Sequence, residues 1–407
     1  MNRPATGSSS QCASSDDTPG MPRTVPTVGS PQSVSERRVS HAYVGCYTTT
    51  ARYARGDGIH AYRVDAVTGA WSHVQRLENL TNPSFLLLSR DQRYLYSVHG
   101  DEAYASSFSV DPESGLLTLM NRAATGGRNG VHLALDPSGR FLLVANYSSG
   151  SIGVLPVQED GTLGDHVQVV PLQGQPGPHR IEQVGSHPHH VVFDPAGRFV
   201  IVPDKGLDRI FAFRLDLGTG RLIPTEQGSV SALPGSGPRH AAFHPTLPIL
   251  WVINEIGNSV VTYHLEAEHG ALRPVQILSS LPSDYVRENT GSAIAVSADG
   301  RFVYCSNRMH DSIAIFAADP ASGLLTSIGW VSTRGRIPRF IGFDPSCKFL
   351  YACNEQSDTV VSWSVDPATG GMTPTGQVVR NPSPVTIAFA NLDGSRKVPD
   401  TFRGPTP

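Results

Sequence analysis

A short turn of the form Asp/Glu-x-x-x-Gly, or a close variant, recurs seven times along the 407-residue chain. It constrains the fold more than any other feature. Successive turn glycines are 46, 46, 59, 50, 53 and 47 residues apart. They are Gly69, Gly115, Gly161, Gly220, Gly270, Gly323 and Gly370. A period of this length is typical of a repeat architecture in which each unit is one supersecondary element.

A second marker alternates with these turns and gives each unit its secondary structure. It pairs a tight Asp/Pro/Gly turn with a β-branched and aromatic run, which is a hairpin signal. Its six copies are SRDQRYLYSVH, DPSGRFLLVAN, DPAGRFVIVPD, HPTLPILWVIN, SADGRFVYCSN and DPSCKFLYACN. Each unit therefore predicts four short antiparallel strands, as in a propeller blade, and convincing helical periodicity is absent.

Seven turns predict an all-β, seven-bladed β-propeller. The first unit starts at HAYVGCYT (41–48) and lacks its first strand, whereas SPVTIAFA (383–390) at the far end has no partners. Pairing the two segments in one blade closes the ring and leaves no exposed inner edge. An open two-sheet sandwich is the alternative. We predict a disordered N-terminal tail over 1–40, the propeller over 41–391, and a flexible C-terminal tail over 392–407.

Composition excludes several classes of protein. The 32 basic and 35 acidic residues are balanced, so no basic stripe indicates a nucleic-acid or membrane partner. No run approaches the length of a membrane span. The five cysteines are odd in number and mostly lie in apolar runs, which favours reduced thiols in the cytoplasm. We expect a monomer or weak dimer without a cofactor.

Charged and imidazole side chains cluster in the loops that open on one face of the predicted disc. The loops after the second strands and the entries to the first strands share that face. They carry His189, Asp204, Lys205, Arg209, Arg239, His240, Glu255, Arg308, Arg339 and Glu355. The insertion HVQVVPLQGQPGPHRIEQVGSHPHH, inside the 59-residue interval, is expected to cover the mouth beside His189. A merely solvated rim is the alternative.

The chemistry of these residues favours an anion site. His187 and His189 share a strand face and permit a metal site, but several neighbouring arginines would repel a cation, so we predict no metal. No nucleophile elbow, P-loop or dinucleotide fingerprint is present. Arginines bind carboxylate or phosphate, and His189 or Glu255 can accept a proton. Hydrolysis of a lactone fits: a base activates water and an arginine stabilises the oxyanion.

The chain resembles the seven-bladed 6-phosphogluconolactonase and carboxymuconate-lactonizing (cycloisomerase) family from Tyr43 to about Asn391. The resemblance lies in YVGCYT, GIHAYRVDAVTG, NPSFLLLS, PHHVVFDPAGRFVIVPDKGLDRI, GSGPRHAAFHP with its downstream NE, and the NR after GRFVYCS. It implies a cleft at the propeller mouth. The chain departs from the family at GSAIAVS, where Ser292, Ala293 and Ala295 replace an acidic residue and a histidine.

The resemblance implies catalytic roles for His189, Arg209, Glu255 and Arg308, with Arg239, His240 and Arg339 binding a small anionic lactone. We expect Lys205, which lies close to Arg209 in the sequence, to bind the substrate as well. We expect hydrolysis of 6-phospho-D-glucono-1,5-lactone in the pentose phosphate pathway. Two alternatives stay open among enzymes: an unphosphorylated sugar lactone as substrate, or cycloisomerisation of a carboxymuconate. A propeller that binds a peptide or protein through exposed aromatic residues is the non-enzymatic alternative.

Overall fold

The computed structural model describes residues 39–65 and 68–391. The predicted tails, 1–40 and 392–407, therefore lie outside the described residues except at Val39 and Ser40. The described ranges form strands and two three-residue 3-10 helices, and neither helix is long enough to cross a membrane.

The strands are β1 Val39–Cys46, β2 Ile59–Asp65, β3 Trp71–Leu77, β4 Pro83–Leu88, β5 Tyr94–His99, β6 Tyr104–Val110, β7 Leu117–Ala124, β8 Gly130–Leu135, β9 Phe141–Asn146, β10 Ser151–Pro156, β11 Gln168–Pro171, β12 Val192–Phe193, β13 Val200–Asp204, β14 Arg209–Asp216, β15 Arg221–Ser231, β16 Pro238–Phe243, β17 Ile249–Asn254, β18 Ser259–Leu265, β19 Leu272–Ser279, β20 Thr290–Val296, β21 Phe302–Arg308, β22 Ser312–Ala318, β23 Leu325–Ser332, β24 Pro338–Phe343, β25 Phe349–Asn354, β26 Thr359–Val365, β27 Met372–Arg380 and β28 Pro384–Asn391. The 3-10 helices are Thr50–Arg52 and Glu355–Ser357.

These strands form seven four-stranded antiparallel sheets, which confirms the predicted seven-bladed propeller. Six blades use consecutive strands, β4–β7, β8–β11, β12–β15, β16–β19, β20–β23 and β24–β27. The remaining blade has the order β28-β1-β2-β3, so the last strand pairs with the first, as the sequence predicted. The β1–β28 ladder runs from Ser40 opposite Asn391 to Cys46 opposite Pro384.

The hydrophobic core lies between neighbouring blades. The second strand of a blade is buried along nearly its whole length, as in β17, whereas the outer strand β23 is mostly exposed and only its first residue, Leu325, is buried. Trp251 of β17 packs with Val303 and Phe316 of the next blade. Because each sheet is covered on both faces by other sheets, the central strands consist of continuous apolar runs.

The two sequence markers are the two sides of one contact between blades. The turn glycine of a blade lies against the first residues of the second strand in the preceding blade. Gly370 has φ +71°, and a Cβ there would come within 2.3 Å of the Phe302 ring. Tyr304 Oη donates to the Gly370 carbonyl at 3.0 Å. The same packing joins Gly115 to His41, Gly161 to Tyr94, Gly220 to Phe141, Gly270 to Phe199 and Gly323 to Ile249. Both markers therefore recur with the same period.

The predicted insertion is shorter than the sequence suggested. Residues 168–171 form β11, the outer strand of the third blade, and pair with β10. Only the following segment, residues 172–187, is added between blades. We call residues 173–186 the covering loop.

Candidate active site

Buried asparagines fix the positions where side chains enter the mouth. An asparagine lies at or near the end of the second strand in several blades. Most of their amides donate to a loop carbonyl, as Asn354 Nδ2 does to Thr333 at 3.0 Å, whereas Asn254 Nδ2 donates to Ser259 Oγ. These residues are Asn146, Asn254, Asn307 and Asn354, and all are buried. The residue after each of the last three is charged: Glu255, Arg308 and Glu355. The asparagine thus sets the start of the loop from which the functional side chain projects.

Strand bulges position two of the arginines. The pairing of β16 with β17 passes from Pro238 to His240, which leaves Arg239 as the extra residue. The pairing of β24 with β25 skips Arg339 in the same way. A bulge redirects the side chain of the extra residue. Arg239 and Arg339 therefore enter the site from innermost strands that otherwise follow a regular alternation.

Glu255 is the centre of the site. Its Oε2 lies 2.8 Å from Arg239 Nε and 3.0 Å from Arg308 Nη2, and its Oε1 lies 2.8 Å from Lys205 Nζ. The Glu255 side chain is only 9% exposed. Three cations from three blades thus converge on one buried carboxylate, where the low local dielectric strengthens their attraction.

Backbone carbonyls fix the two arginines from the other side. Arg239 Nη1 donates to the Ser292 carbonyl at 2.7 Å, and Arg308 Nη2 donates to the Gly291 carbonyl at 3.0 Å. Arg308 Nε is buried and has no hydrogen-bond partner among the described residues. An unpaired buried donor is costly unless a ligand accepts from it.

The charges of the cluster set its protonation states. Burial alone would raise the pKa of Glu255, but Arg308, Lys205 and Arg239 outweigh it and hold that pKa well below its ordinary value. Burial lowers the pKa of Lys205, and Glu255 and Tyr147 more than compensate, so the pKa is raised. Burial and the charge of Arg308 lower the pKa of Arg239 to about 9. At neutral pH Glu255 is therefore a carboxylate and Lys205 an ammonium ion.

His189 is a neutral imidazole beside this cluster. Its ring packs edge-on against Tyr147 and His240, with centroids 5.5 Å and 5.4 Å away. Burial, followed by the charge of Arg239, holds the pKa of His189 well below its ordinary value, while Glu255 acts in the opposite direction. Nδ1 of His189 is buried without a hydrogen-bond partner among the described residues. The ring is therefore available to accept a proton.

A row of histidines continues from His189 toward the opposite face. His240 lies 4.8 Å from His190, and His190 lies 3.8 Å from His132, between ring centroids. His132 and His190 line a cavity of about 880 Å³, whose rim is formed by tight turns such as Asp194–Gly197. Within the described ranges, no group of three or more His, Cys, Asp or Glu side chains has the arrangement of a metal site.

Arg339 forms the edge of the site next to the first blade. Its guanidinium carbon lies 5.0 Å from the centroid of the Tyr47 ring, and its Nη1 lies 3.8 Å from Glu355 Oε2. Burial would lower the pKa of Arg339, but Tyr47 and Glu355 raise it. This cation has the loosest ion pair in the site, which leaves it free to bind an anion.

The structure brings together most of the predicted site residues but not Arg209. The residues that meet are His189, Lys205, Arg239, His240, Glu255, Arg308 and Arg339. Arg209 is the first residue of β14, its Nη1 donates to Ser229 Oγ of β15 at 2.9 Å, and Gly174 of the covering loop lies beside it. Arg209 therefore points away from Glu255 toward the outer strand, and its position does not support the predicted catalytic role.

Asp204 is a structural residue rather than a member of the site. Its Oδ1 accepts from the backbone N–H of His187, Gly206 and Leu207, and its Oδ2 accepts from Ser186 Oγ. It takes the place of the asparagines in the other blades and holds the loop that carries Lys205.

Sequence reasoning missed three residues that line the site. Tyr47 supports Arg339, His132 extends the histidine row, and Glu182 of the covering loop binds Lys205 Nζ at 2.5 Å. Tyr47 lies inside the family segment YVGCYT, a signal that could have identified it. Glu182 lies outside the repeated units, so the repeat could not predict its position near the mouth.

The fold and the cluster define a propeller with a buried group of charged side chains at its axial mouth, and comparison with known proteins identifies its family. The model of the family described as Lactonase, 7-bladed beta-propeller, matches residues 41–389. The chain belongs to this lactonase family.

Individual relatives agree with this assignment. The chain is 37% identical to the 6-phosphogluconolactonase of Bacillus subtilis over 306 residues, which cover 75% of this chain and 85% of the relative. A crystal structure of a putative 6-phosphogluconolactonase from Bacteroides fragilis superposes with a TM-score of 0.80 at 30% identity, covering 89% of this chain and 100% of that one. The periplasmic gluconolactonase of Pseudomonas aeruginosa gives a TM-score of 0.80 at 32% identity, covering 87% and 99%.

Proposed function

We propose that this lactonase hydrolyses 6-phospho-D-glucono-1,5-lactone to 6-phosphogluconate, with His189 as general base and with Arg239 and Arg308 stabilising the oxyanion. The observation that carries the proposal is the Glu255 carboxylate, bound by Lys205, Arg239 and Arg308 beside the neutral His189. The name of the Bacillus subtilis relative supports the choice of lactone.

In this mechanism the lactone carbonyl oxygen binds to the two arginines, which polarise it. His189 takes a proton from a water molecule as its oxygen attacks the carbonyl carbon. The negative charge that develops on the carbonyl oxygen is stabilised by Arg239 and Arg308, which are already in place. When the tetrahedral intermediate collapses, the bond to the ring oxygen breaks and the His189 imidazolium returns the proton to that oxygen.

Glu255 acts through its charge in this scheme rather than as the base. Both oxygens of the Glu255 carboxylate are bound by cations, whereas Nδ1 of His189 is buried without a hydrogen-bond partner among the described residues, so the imidazole rather than the carboxylate has a position for the proton of water. Its charge favours the imidazolium that His189 becomes during the reaction. It also holds three cations at distances of 2.8–3.0 Å, where they would otherwise repel one another.

Release of acid in a pH-stat tests this proposal, since each hydrolysed lactone yields a carboxylic acid. After subtraction of spontaneous hydrolysis, His189→Asn and Arg308→Lys should each lower kcat at least about 100-fold, the usual loss for a removed base or oxyanion donor. Arg209→Ala tests the exclusion of Arg209 and should change kcat less than twofold. Full activity of His189→Asn, or an Arg209→Ala loss as large as that of Arg308→Lys, would overturn these assignments.

Unphosphorylated gluconolactone is the second candidate substrate. The Pseudomonas aeruginosa relative is named a gluconolactonase, and in this chain the Lys205 ammonium is already occupied by carboxylates. The ratio of kcat/KM for the phosphorylated and unphosphorylated lactones decides between them. A carboxymuconate in the same panel tests the predicted alternative of cycloisomerisation.

We also propose that the protein works in a reducing compartment such as the cytoplasm. All four cysteines in the described ranges are free thiols, and Cys46, Cys305 and Cys353 are buried. Unpaired cysteines are typical of proteins kept under reducing conditions.

A further inference from the structure

The covering loop is fastened to the site at one residue beside Glu182. Gln183 is buried, and its Nε2 donates to the Lys205 carbonyl at 2.8 Å. Its Oε1 accepts from the backbone N–H of His179 at 3.1 Å, and Gly177 N donates to the Gly206 carbonyl at 2.9 Å. The loop backbone is therefore held in place at residues 177–183.

The side chains on either side of this anchor are exposed. Ile181 is 78% exposed and Val184 is 68% exposed, and the Glu182 side chain is 45% exposed. Glu182 thus reaches inward from a solvent-exposed edge, and its side chain can turn outward without disturbing the packing of Gln183.

All three donors of the Lys205 ammonium are occupied. Lys205 Nζ lies 2.5 Å from Glu182 Oε2, 2.8 Å from Glu255 Oε1 and 3.3 Å from Tyr147 Oη. Of the two carboxylates, Glu255 is also held by Arg239 and Arg308, whereas Glu182 binds only Lys205 through its side chain among the described residues. An anion that approaches Lys205 can therefore replace Glu182 but not Glu255.

We propose that Glu182 occupies the place on Lys205 that the phosphate of the substrate takes, and that its displacement sets the preference between phosphorylated and neutral lactones. This inference rests on the proposed function. A phosphate that displaces Glu182 gains the Lys205 contact but loses the existing ion pair and meets the repulsion of a nearby carboxylate. A neutral lactone that does not use Lys205 meets neither cost. Glu182 thus determines specificity by weakening the binding of the phosphorylated lactone relative to the neutral one.

Kinetics of Glu182→Gln test the proposal. Glutamine keeps the length and can still accept from Lys205, but it carries no charge. For the phosphorylated lactone, KM should fall about fivefold at low ionic strength, in line with partly exposed charge pairs, and kcat should stay within twofold. The KM of gluconolactone should not change. The difference should shrink in about 0.5 M salt, because salt screens exposed charges. Glu268→Gln, which removes an 87%-exposed carboxylate from a distant turn, is the matched control.

Calorimetric binding of inorganic phosphate separates this inference from the proposed function, because it needs no turnover. Glu182→Gln should bind phosphate about fivefold more tightly than the wild type and Glu268→Gln, again the scale of a partly exposed pair. If the wild type hydrolyses neither lactone, the proposed function fails, and the phosphate measurement still decides the role of Glu182. Equal phosphate affinities in the wild type and Glu182→Gln, or an equal fall in KM for both lactones, would overturn the inference.

Discussion

Acid should destabilise this propeller because its axial histidines are buried in the neutral form. His132, His189 and His190 are each no more than 8% exposed. Burial is the main cause that lowers the pKa of each ring, and it brings that of His190 to about 3. The nearby charge of Arg239 acts in the same direction on all three. The folded protein therefore binds fewer protons than the unfolded chain below about pH 6.5.

The sign and size of the effect follow from this difference. Because the folded-state pKa of each histidine lies below the unfolded value, its contribution to stability is complete above about pH 6.5 and is lost as the pH falls toward the folded pKa. Between about pH 7.0 and pH 5.5, each histidine should cost about 1.3 kcal/mol, so the three together should cost about 4 kcal/mol. For Glu255 the pKa is depressed, so its contribution is lost only below about pH 4.5 and does not enter this window.

Urea unfolding followed by tryptophan fluorescence at several pH values measures this effect as a slope. His190→Asn should reduce the loss of unfolding free energy between about pH 7.0 and 5.5 by about 1.3 kcal/mol, whatever its effect at neutral pH. His269→Asn is the control, since the His269 side chain is 58% exposed. An unchanged slope in His190→Asn, or a wild-type protein equally stable at both pH values, would refute the argument.

Three further predictions concern the site and the core. Glu255→Gln should lower the free energy of unfolding by about 3–5 kcal/mol, because it leaves Arg239 and Arg308 buried without a counter-charge. Urea titration measures this loss, and a change below about 1 kcal/mol would contradict the prediction. Lys205→Met should raise KM for the phosphorylated lactone at least about tenfold more than KM for gluconolactone, because only the phosphorylated lactone carries an anion that Lys205 can bind. Steady-state kinetics with both lactones measure this, and equal increases in KM would show that Lys205 has no role in phosphate binding. Trp363→Ala should cost about 3–5 kcal/mol by urea titration, because this side chain is fully buried between blades, and a loss below about 1 kcal/mol would place it outside the core.

The sequence was sufficient to predict the architecture because the packing between blades repeats with the chain. Six of the seven turn glycines, such as Gly370, contact a ring or an apolar side chain at the start of a second strand, such as Phe302, so both markers recur in phase. The closure of the ring of blades could be predicted because the first repeat lacks its first strand, and the end of the last repeat is followed by an additional strand without partners. The residues that follow the asparagines at the ends of the second strands were also predictable as mouth residues, because each of them lies where the loop between the second and third strands of its blade begins.

The direction in which several side chains point depends on local irregularity that the repeat does not encode. Arg209 begins a third strand, and only the pairing with β15 shows that its side chain turns outward. Arg239 and Arg339 owe their inward direction to bulges that have no sequence signal of their own. Glu182 belongs to the covering loop, where the repeat provides no register and the contact with Lys205 depends on the anchoring of Gln183.

The pairing of the last strand with the first has a consequence for how the molecule is made. During synthesis, β1 leaves the ribosome early, but its inner neighbour β28 is among the last described residues to be translated. Until β28 has been translated, the first blade has only three strands and an unpaired inner edge on β1. In the completed propeller Asn391 lies opposite Ser40, so the two ends of the propeller segment are adjacent. A short linker that joins these ends, with new chain termini at a tight turn, should therefore yield a circular permutant in which every blade is intact.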